Sequence, residues 1–199
     1  MTTDLKTALK NRRTYYDITA KSPVGDDAIR EIVNFAVLNT PSAFNSQSAR
    51  VVLLLGEQHK KLWEIVRETL RKIVPAANFK PTDDKINSFA AGHGTVLFYE
   101  DQATVRGLQE QFPPYKDAFP GYSENSTGML QLVVWTMLRD AGLGASLQHY
   151  GNLIQEEVAK TWNLDADWKL IAQMPFGQPG SEPGAKDALP LEQTVKVFS

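Results

Sequence analysis

The chain has 199 residues, with 21 basic side chains against 23 acidic ones, a formal net charge of -2, and no cysteine. That length suits one domain, and 42% hydrophobic with 10% aromatic residues supplies a core rather than a disordered chain. The charge balance excludes a general nucleic-acid binder, which carries a basic excess. The missing cysteine excludes disulfide scaffolds, zinc–thiolate sites, iron–sulfur clusters, thiol redox motifs and cysteine nucleophiles, and it suits a cytoplasmic protein.

Three histidines are present, His59, His93 and His149, too far apart for an HExxH-type pair. No carboxylate cluster makes up for them, so no metal site is expected. The start, MTTDLKTALKNRR, lacks the apolar stretch of a secretory signal. The most apolar run, Met129 to Leu138, is about half of the roughly 20 residues that a membrane span needs.

In chain order, Asp4 to Lys10 reads as a short helix running into Asn11-Arg12-Arg13. Asp26 or Asp27 is the expected cap of a second helix, with Ile29, Ile32, Val33, Ala36 and Val37 on one face and Thr40-Pro41-Ser42 as its end. Arg50 to Leu55 is an apolar strand stopped by Gly56. A third helix, Glu57 to about Val74, carries Leu62, Ile65, Val66, Leu70 and Ile73 at helical spacing.

Pro75 and Pro81 bracket a loop, followed by a short helix from Asp83 to Ala90 and a strand from Thr95 to Tyr99. The segment Gln111 to Tyr122, rich in proline and aromatics, reads as a shaped loop and a candidate lid. Ser123 is the expected cap of a long helix to about Ala141. Its run Met129 to Leu138 is apolar on nearly every side and predicts a central buried helix. Gly142 and Gly144 end it. A short strand (Ala145 to Tyr150), a helix capped by Asn152 and running to Trp162, and a strand (Trp168 to Phe176) follow. A Gly/Pro-rich tail then leads to a terminal strand, TVKVF. Strands mixed with helices at irregular spacing predict an α+β fold, a small mixed sheet packed among helices. The detached tail, from about residue 178 to 199, is a candidate to wrap onto a neighbouring subunit.

Four segments carry polar chemistry. Arg12-Arg13-Thr14 can grip a phosphate with planar bidentate bonds, although basic residues also collect at helix C-termini for the dipole alone. Pro41-Ser42-Ala43-Phe44-Asn45-Ser46-Gln47-Ser48 offers amides that both donate and accept, suited to the edge of a heterocycle. It is equally readable as a polar connection rich in turn formers. Gly144-Ala145-Ser146-Leu147-Gln148-His149-Tyr150 is a strand ending in polar and aromatic groups, in which the histidine has a plain structural reading. Lys186, by itself, is an exposed loop lysine. No GxGxxG follows a strand, and neither a Walker A sequence nor a GxSxG elbow is present, so dehydrogenases of the Rossmann type, nucleotide triphosphatases and α/β-hydrolases lose their signatures.

Taken together, the order of these segments resembles the FMN-dependent nitroreductase family. The matching pieces are Arg12-Arg13-Thr14, the Pro41–Gln47 segment, the apolar helix Met129–Leu138, the Ser146–Tyr150 strand, and Lys186 before Leu189-Pro190. The resemblance spans about residues 5 to 195 and is nearest to the short, fatty-acid-repression-type branch. It implies an α+β fold, a mixed β-sheet surrounded by helices, in an intertwined homodimer with two FMN molecules at the interface.

By the same resemblance, Arg12, Arg13, Thr14 and Tyr16 hold FMN from one side, with Pro41, Ser42, Ala43, Asn45 and Gln47 approaching from the other. Lys186 meets the phosphate, and the backbone at Gln148, His149 and Tyr150 lies near flavin N5. Phe44, Phe112, Tyr115 and Tyr122 are candidate walls of the substrate space. The implied activity takes hydride from NADH or NADPH and passes electrons to nitroaromatics, quinones or similar small acceptors in a ping-pong cycle. The alternative is a flavin-binding regulatory or stress-response protein with little turnover. Tyr16 and Ala188 stand where the family often has a cation, so two positive charges near the flavin are missing.

Overall fold

The apolar run around Thr95–Tyr99 forms the middle of the sheet. The computed structural model describes residues 4–198. Its elements in order are α1 (Leu5–Asn11), β1 (Ile18–Thr19), α2 (Asp26–Asn39), β2 (Ala49–Leu55), α3 (Gly56–Arg71), α4 (Lys80–Ala90), β3 (Gly94–Asp101), α5 (Gln102–Gln111), α6 (Phe119–Asp140), β4 (Gly144–Ala145), α7 (Gly151–Trp162), β5 (Trp168–Pro179) and α8 (Leu191–Thr194). Short 3₁₀ turns occupy Ala43–Asn45, Ala76–Asn78 and Pro113–Tyr115.

The sheet order is β1-β5-β3-β2, with β4 also on β5, and every ladder among the described residues is antiparallel. The expected mixed character shrinks to one isolated parallel bridge, Thr14 to Ala145. Strand β3 is buried on both faces. Val96 and Phe98 face α2 and α6, while Leu97 and Tyr99 face α3, α4 and α7. This is period-two alternation with helices covering both sides. Each such side chain contributes roughly 1.5–3 kcal/mol by leaving water.

On β5, Ala172, Met174 and Phe176 join the first layer but Leu170 joins the second. The parity changes because Phe98 pairs with Ala172 and Tyr99 with Leu170, leaving Ile171 as the extra residue of a bulge.

Several boundaries differ from the sequence reading, for physical reasons. The helix expected from Asp83 starts at Lys80, and the one expected from Ser123 starts at Phe119. In both, a proline read as loop (Pro81, Pro120) sits in the first turn, where its missing N–H costs nothing. The aromatic loop therefore shortens, and Tyr122 belongs to α6.

Gly25, not Asp26 or Asp27, caps α2, and Tyr150, not Asn152, caps α7. Gly56 does not stop β2 and wait; with φ of +52° it opens α3 directly. Of the expected 145–150 strand only Ala145 is laddered, together with Gly144 before it, and Gln148 makes an isolated bridge to Gln173. The terminal TVKVF is not a strand. Pro190 opens the short α8, and the residues after it find no sheet edge.

Helix α6 buries Ser126, Thr127, Leu130, Val134 and Leu138 along one stripe. Its opposite side is open: Met129 is 43% and Leu132 45% exposed. The expected central burial is thus only half realised within one chain.

Candidate functional site

The turn from α2 into β2 builds a cleft of about 430 Å³. Its walls include Thr40, Pro41, Ser42, Asn45 and Gln47 from the turn, Arg50 from β2, and Ser126 and Leu130 from α6. The backbone here is unusual. Phe44, Asn45 and Gln47 have φ of 56°, 50° and 48°. Asparagine tolerates the left-handed region, but phenylalanine and glutamine are strained there.

Surrounding bonds hold that shape. Ala43 N–H donates to Ser126 Oγ at 3.4 Å, and Gln47 N–H to Ser42 Oγ at 2.9 Å. Arg50 donates to the Gln47 carbonyl at 2.8 Å while pairing with Asp101 at 2.7 Å. Burial opposes ionisation of Asp101, but hydrogen bonds from Thr104 and the Ala103 N–H, with the Arg50 charge, hold its carboxyl below the usual value. Thr40 lines the cleft, and its buried Oγ1 has no hydrogen-bond partner among the described residues.

Phe44 leaves the turn to lie against the α5–α6 connection. Its ring centre is 5.0 Å from Phe112, 6.0 Å from Tyr115 and 5.3 Å from Phe119. Tyr122 joins through an edge contact with Phe119 at 5.9 Å. The aromatic candidates are therefore one cluster beside the cleft. Phe119 is a member that the sequence reading did not single out.

The basic candidates lie elsewhere on the same chain. Arg12 stacks its guanidinium over Trp135 of α6 at 4.5 Å. Arg13 donates to the Gly184 carbonyl at 2.8 Å, and Tyr15 donates to Glu182 at 2.8 Å. The tail is thus tied back at 182–184, which places exposed Lys186 two residues beyond the Arg13 contact. Trp135 and Ser126 are nine residues apart on α6, about 13 Å along its axis. One chain therefore does not bring Arg12, Arg13 and Lys186 into the cleft that holds Ser42, Asn45 and Gln47.

The third segment is partly spent on structure. Gln148 N–H bonds the Gln173 carbonyl at 2.8 Å, its side chain donates to Ser146 at 3.0 Å, and Tyr150 N–H donates to Gln173 Oε1 at 2.7 Å. His149 N–H, between them, has no partner among the described residues. Tyr16 is exposed and lies beside Phe89 at 6.4 Å. Burial, with Tyr16 nearby, pushes the Tyr150 hydroxyl pKa up.

Sequence reasoning missed Glu100. It ends the apolar part of β3, is fully buried, and accepts hydrogen bonds from Ser48 and Thr127. A glutamate at the end of a strand normally reads as solvated. Among the described residues no group of three or more His, Asp or Glu is placed to hold a metal ion, and no helix is long and apolar enough to cross a membrane.

The Nitroreductase family pattern matches residues 9–178. The nitroreductase FRM2 of Saccharomyces cerevisiae is 34% identical over 181 residues, covering 90% of this chain and 90% of that protein. Nitroreductase CinD from Lactococcus lactis, solved in complex with chloramphenicol, superposes with a TM-score of 0.90 at 40% identity, covering 98% of this chain and 100% of that one. The same enzyme in complex with 4-nitrophenol gives 0.89 at 40% identity, with 98% and 100% coverage.

Proposed function

The chain belongs to the nitroreductase family, and from that premise we propose that it is an FMN-dependent oxidoreductase of the cytoplasm, using NADH or NADPH to reduce nitroaromatics, quinones or related small acceptors in a ping-pong cycle. The observation that carries this reading is the cleft at Thr40–Gln47. A left-handed turn exposes amides and hydroxyls there, beside an unpartnered Thr40 hydroxyl. Those groups suit the alternating donors and acceptors of a flavin ring edge. CinD's complex with 4-nitrophenol supports a nitroaromatic acceptor.

We further propose a homodimer with FMN at the interface. Arg12, Arg13, Thr14, Tyr16 and Lys186 of one chain would hold the phosphate and ribityl end. Pro41, Ser42, Ala43, Asn45 and Gln47 of the second copy would take the ring. The bonds from guanidinium and ammonium to phosphate contribute about 1.5–3 kcal/mol each. Of the Gln148–His149–Tyr150 amides, only that of His149 is uncommitted, so it is the donor available to flavin N5. Phe44, Phe112, Tyr115 and Tyr122 wall the acceptor space and exclude water. FMN, when bound, supplies the hydride and electron transfer that no side chain here performs.

The purified protein should be yellow and absorb in the oxidised-flavin bands. Colourless protein that takes up no added FMN overturns this reading. Steady-state NADH or NADPH oxidation with 4-nitrophenol or a quinone then separates an enzyme from a flavin carrier with little turnover. Replacing Arg12 and Arg13 together with alanine should reduce FMN occupancy about tenfold or more, from the loss of two charged bonds, while the far-ultraviolet circular dichroism spectrum stays the same.

A further inference from the structure

Behind the cleft lies a polar knot that no part of the flavin reading uses. Glu100 is completely buried, and so, to within a few per cent, are Ser48, Thr127 and Ser123. Ser48 donates to Glu100 Oε2 at 2.5 Å and Thr127 donates to Oε1, with the Ser123 hydroxyl near enough to favour the charged carboxylate. Ser46 Oγ lies 3.4 Å from Ser48 Oγ, extending the knot towards the turn. Buried polar clusters of this kind persist only when every member is satisfied, and they then fix one geometry.

The placement is informative. Ser48 ends the segment whose Phe44, Asn45 and Gln47 adopt left-handed φ. Ser123 and Thr127 lie on α6, on either side of Ser126, which accepts the Ala43 N–H. Asp101, next along β3, holds the same segment through Arg50 and the Gln47 carbonyl. Two successive acidic residues of the central strand thus grip the end of the turn, Glu100 at Ser48 and Asp101, through Arg50, at the Gln47 carbonyl. Arg50 is committed to Asp101 and to two carbonyls, so the hydrogen bonds to Glu100 come from the hydroxyls of Ser48 and Thr127 and not from a cation. Burial raises its carboxyl pKa and the hydroxyl bonds oppose that rise.

We propose that Glu100 is a positioning residue: through Ser48 it clamps the 42–48 turn to α6 in the strained shape that receives the flavin ring, without touching the flavin itself. The proposal rests on the flavin reading for its consequence, but not for the clamp. Strain at Phe44 and Gln47 persists only where neighbours over-determine it. Removing the carboxyl leaves Ser123 and Thr127 free to bond back to their own helix carbonyls, whereas Ser48, outside any helix, keeps only its 3.4 Å contact with Ser46, which belongs to the same turn and ties it to nothing else.

The test compares Glu100→Ala, Glu100→Gln and Ser48→Ala with the parent chain. FMN affinity is measured by quenching of flavin fluorescence on titration of flavin-stripped dimer, and hydrogen exchange is followed by peptide mass spectrometry in flavin-free protein. Glutamine keeps an acceptor oxygen and adds an amide donor for the hydroxyls, so Glu100→Gln should bind FMN within about threefold of the parent. Glu100→Ala and Ser48→Ala should each weaken FMN about tenfold or more. In both, exchange should speed up in peptides covering 42–48, with α3 and α7 unchanged.

Unchanged FMN affinity in both alanine variants overturns the proposal. So does unchanged exchange at 42–48, or a rise spread evenly over α3 and α7. Glu100→Gln behaving as badly as Glu100→Ala also overturns it. If the parent takes up no FMN, the flavin reading fails alone, and the exchange measurement still decides the clamp. Should Glu100→Ala fail to fold, Ser48→Ala and Glu100→Gln carry the decision, because each removes or exchanges only a few atoms.

Discussion

At the residue scale, burial decides the chemistry of two side chains in opposite ways. His59, on the buried face of α3, has Nδ1 2.8 Å from Thr95 Oγ1 and Nε2 3.3 Å from the Ala90 carbonyl. Burial lowers its pKa to about 4, against 6.5 in an open chain, with the Ala90 bond opposing. Above pH 6.5 the ring is neutral in both states and has no effect on the slope. Between pH 6.5 and about 4 the unfolded chain binds a proton that the folded one refuses. Stability falls across that window by about 3 kcal/mol and then levels off. Urea unfolding at intervals from pH 7 to pH 4 should show this decline in the parent chain and not in His59→Gln. An identical slope in the two would remove His59 as its origin. Glu100, whose carboxyl pKa is raised by burial, works the other way, since its folded form favours the proton. Both groups are silent in the sequence: each sits in or beside an ordinary pattern, and only neighbours distant along the chain make it unusual.

Among elements, the α5–α6 connection carries part of the proposed wall of the acceptor space. It is short, Phe112 to Ala118, and its rings close on Phe44. Aromatic pairs of this geometry contribute about 0.5–1.5 kcal/mol each. Phe112→Ala should therefore loosen the connection and raise KM for a nitroaromatic acceptor about threefold or more. FMN content should stay the same, since Phe112 does not line the Thr40–Gln47 cleft; steady-state kinetics at fixed NADH measure the effect. Elements with a clear apolar stripe, α2 and α3 above all, were legible from spacing. Strand β3 was legible from its unbroken apolar run. Helix α5 was not, because its ten residues carry a short apolar face in which only Val105 is fully buried. Helix starts were misplaced wherever proline stood in the first turn, since proline alone does not tell a loop from a helix opening. The turn at 42–48 was legible as polar, but its left-handed backbone was not, because Phe44 and Gln47 are not residues that prefer it. The clustering of Phe44 with Phe112 needed the fold.

For the whole molecule, the separation between Arg12 and the cleft gains meaning from the surface between them. Helices α1, α2 and α6 expose Leu5, Leu9, Phe35, Leu38, Met129 and Leu132, with Leu38 82% exposed. Because α1 and α2 both pack on α6, these exposed apolar side chains belong to neighbouring elements, which suits the proposed dimer. Phe35→Glu combined with Leu132→Glu, neither of which lines the cleft, should shift sedimentation from two chains towards one, and FMN should be lost with the dimer. A dimeric double variant that still holds FMN would place the interface elsewhere. The antiparallel sheet carries a separate consequence, for the birth of the protein. Strand β3 pairs with β2 on one edge and with β5 on the other, Gly94 meeting Phe176. While the ribosome is still making α6 and α7, the β5 side of β3 has no partner. Such an edge is a template for pairing with other nascent chains. The sheet closes only when its last long strand emerges, so the chain must stay in an unfinished state through most of its synthesis. Its vulnerability to aggregation is set by the order of its strands rather than by the stability of the finished fold.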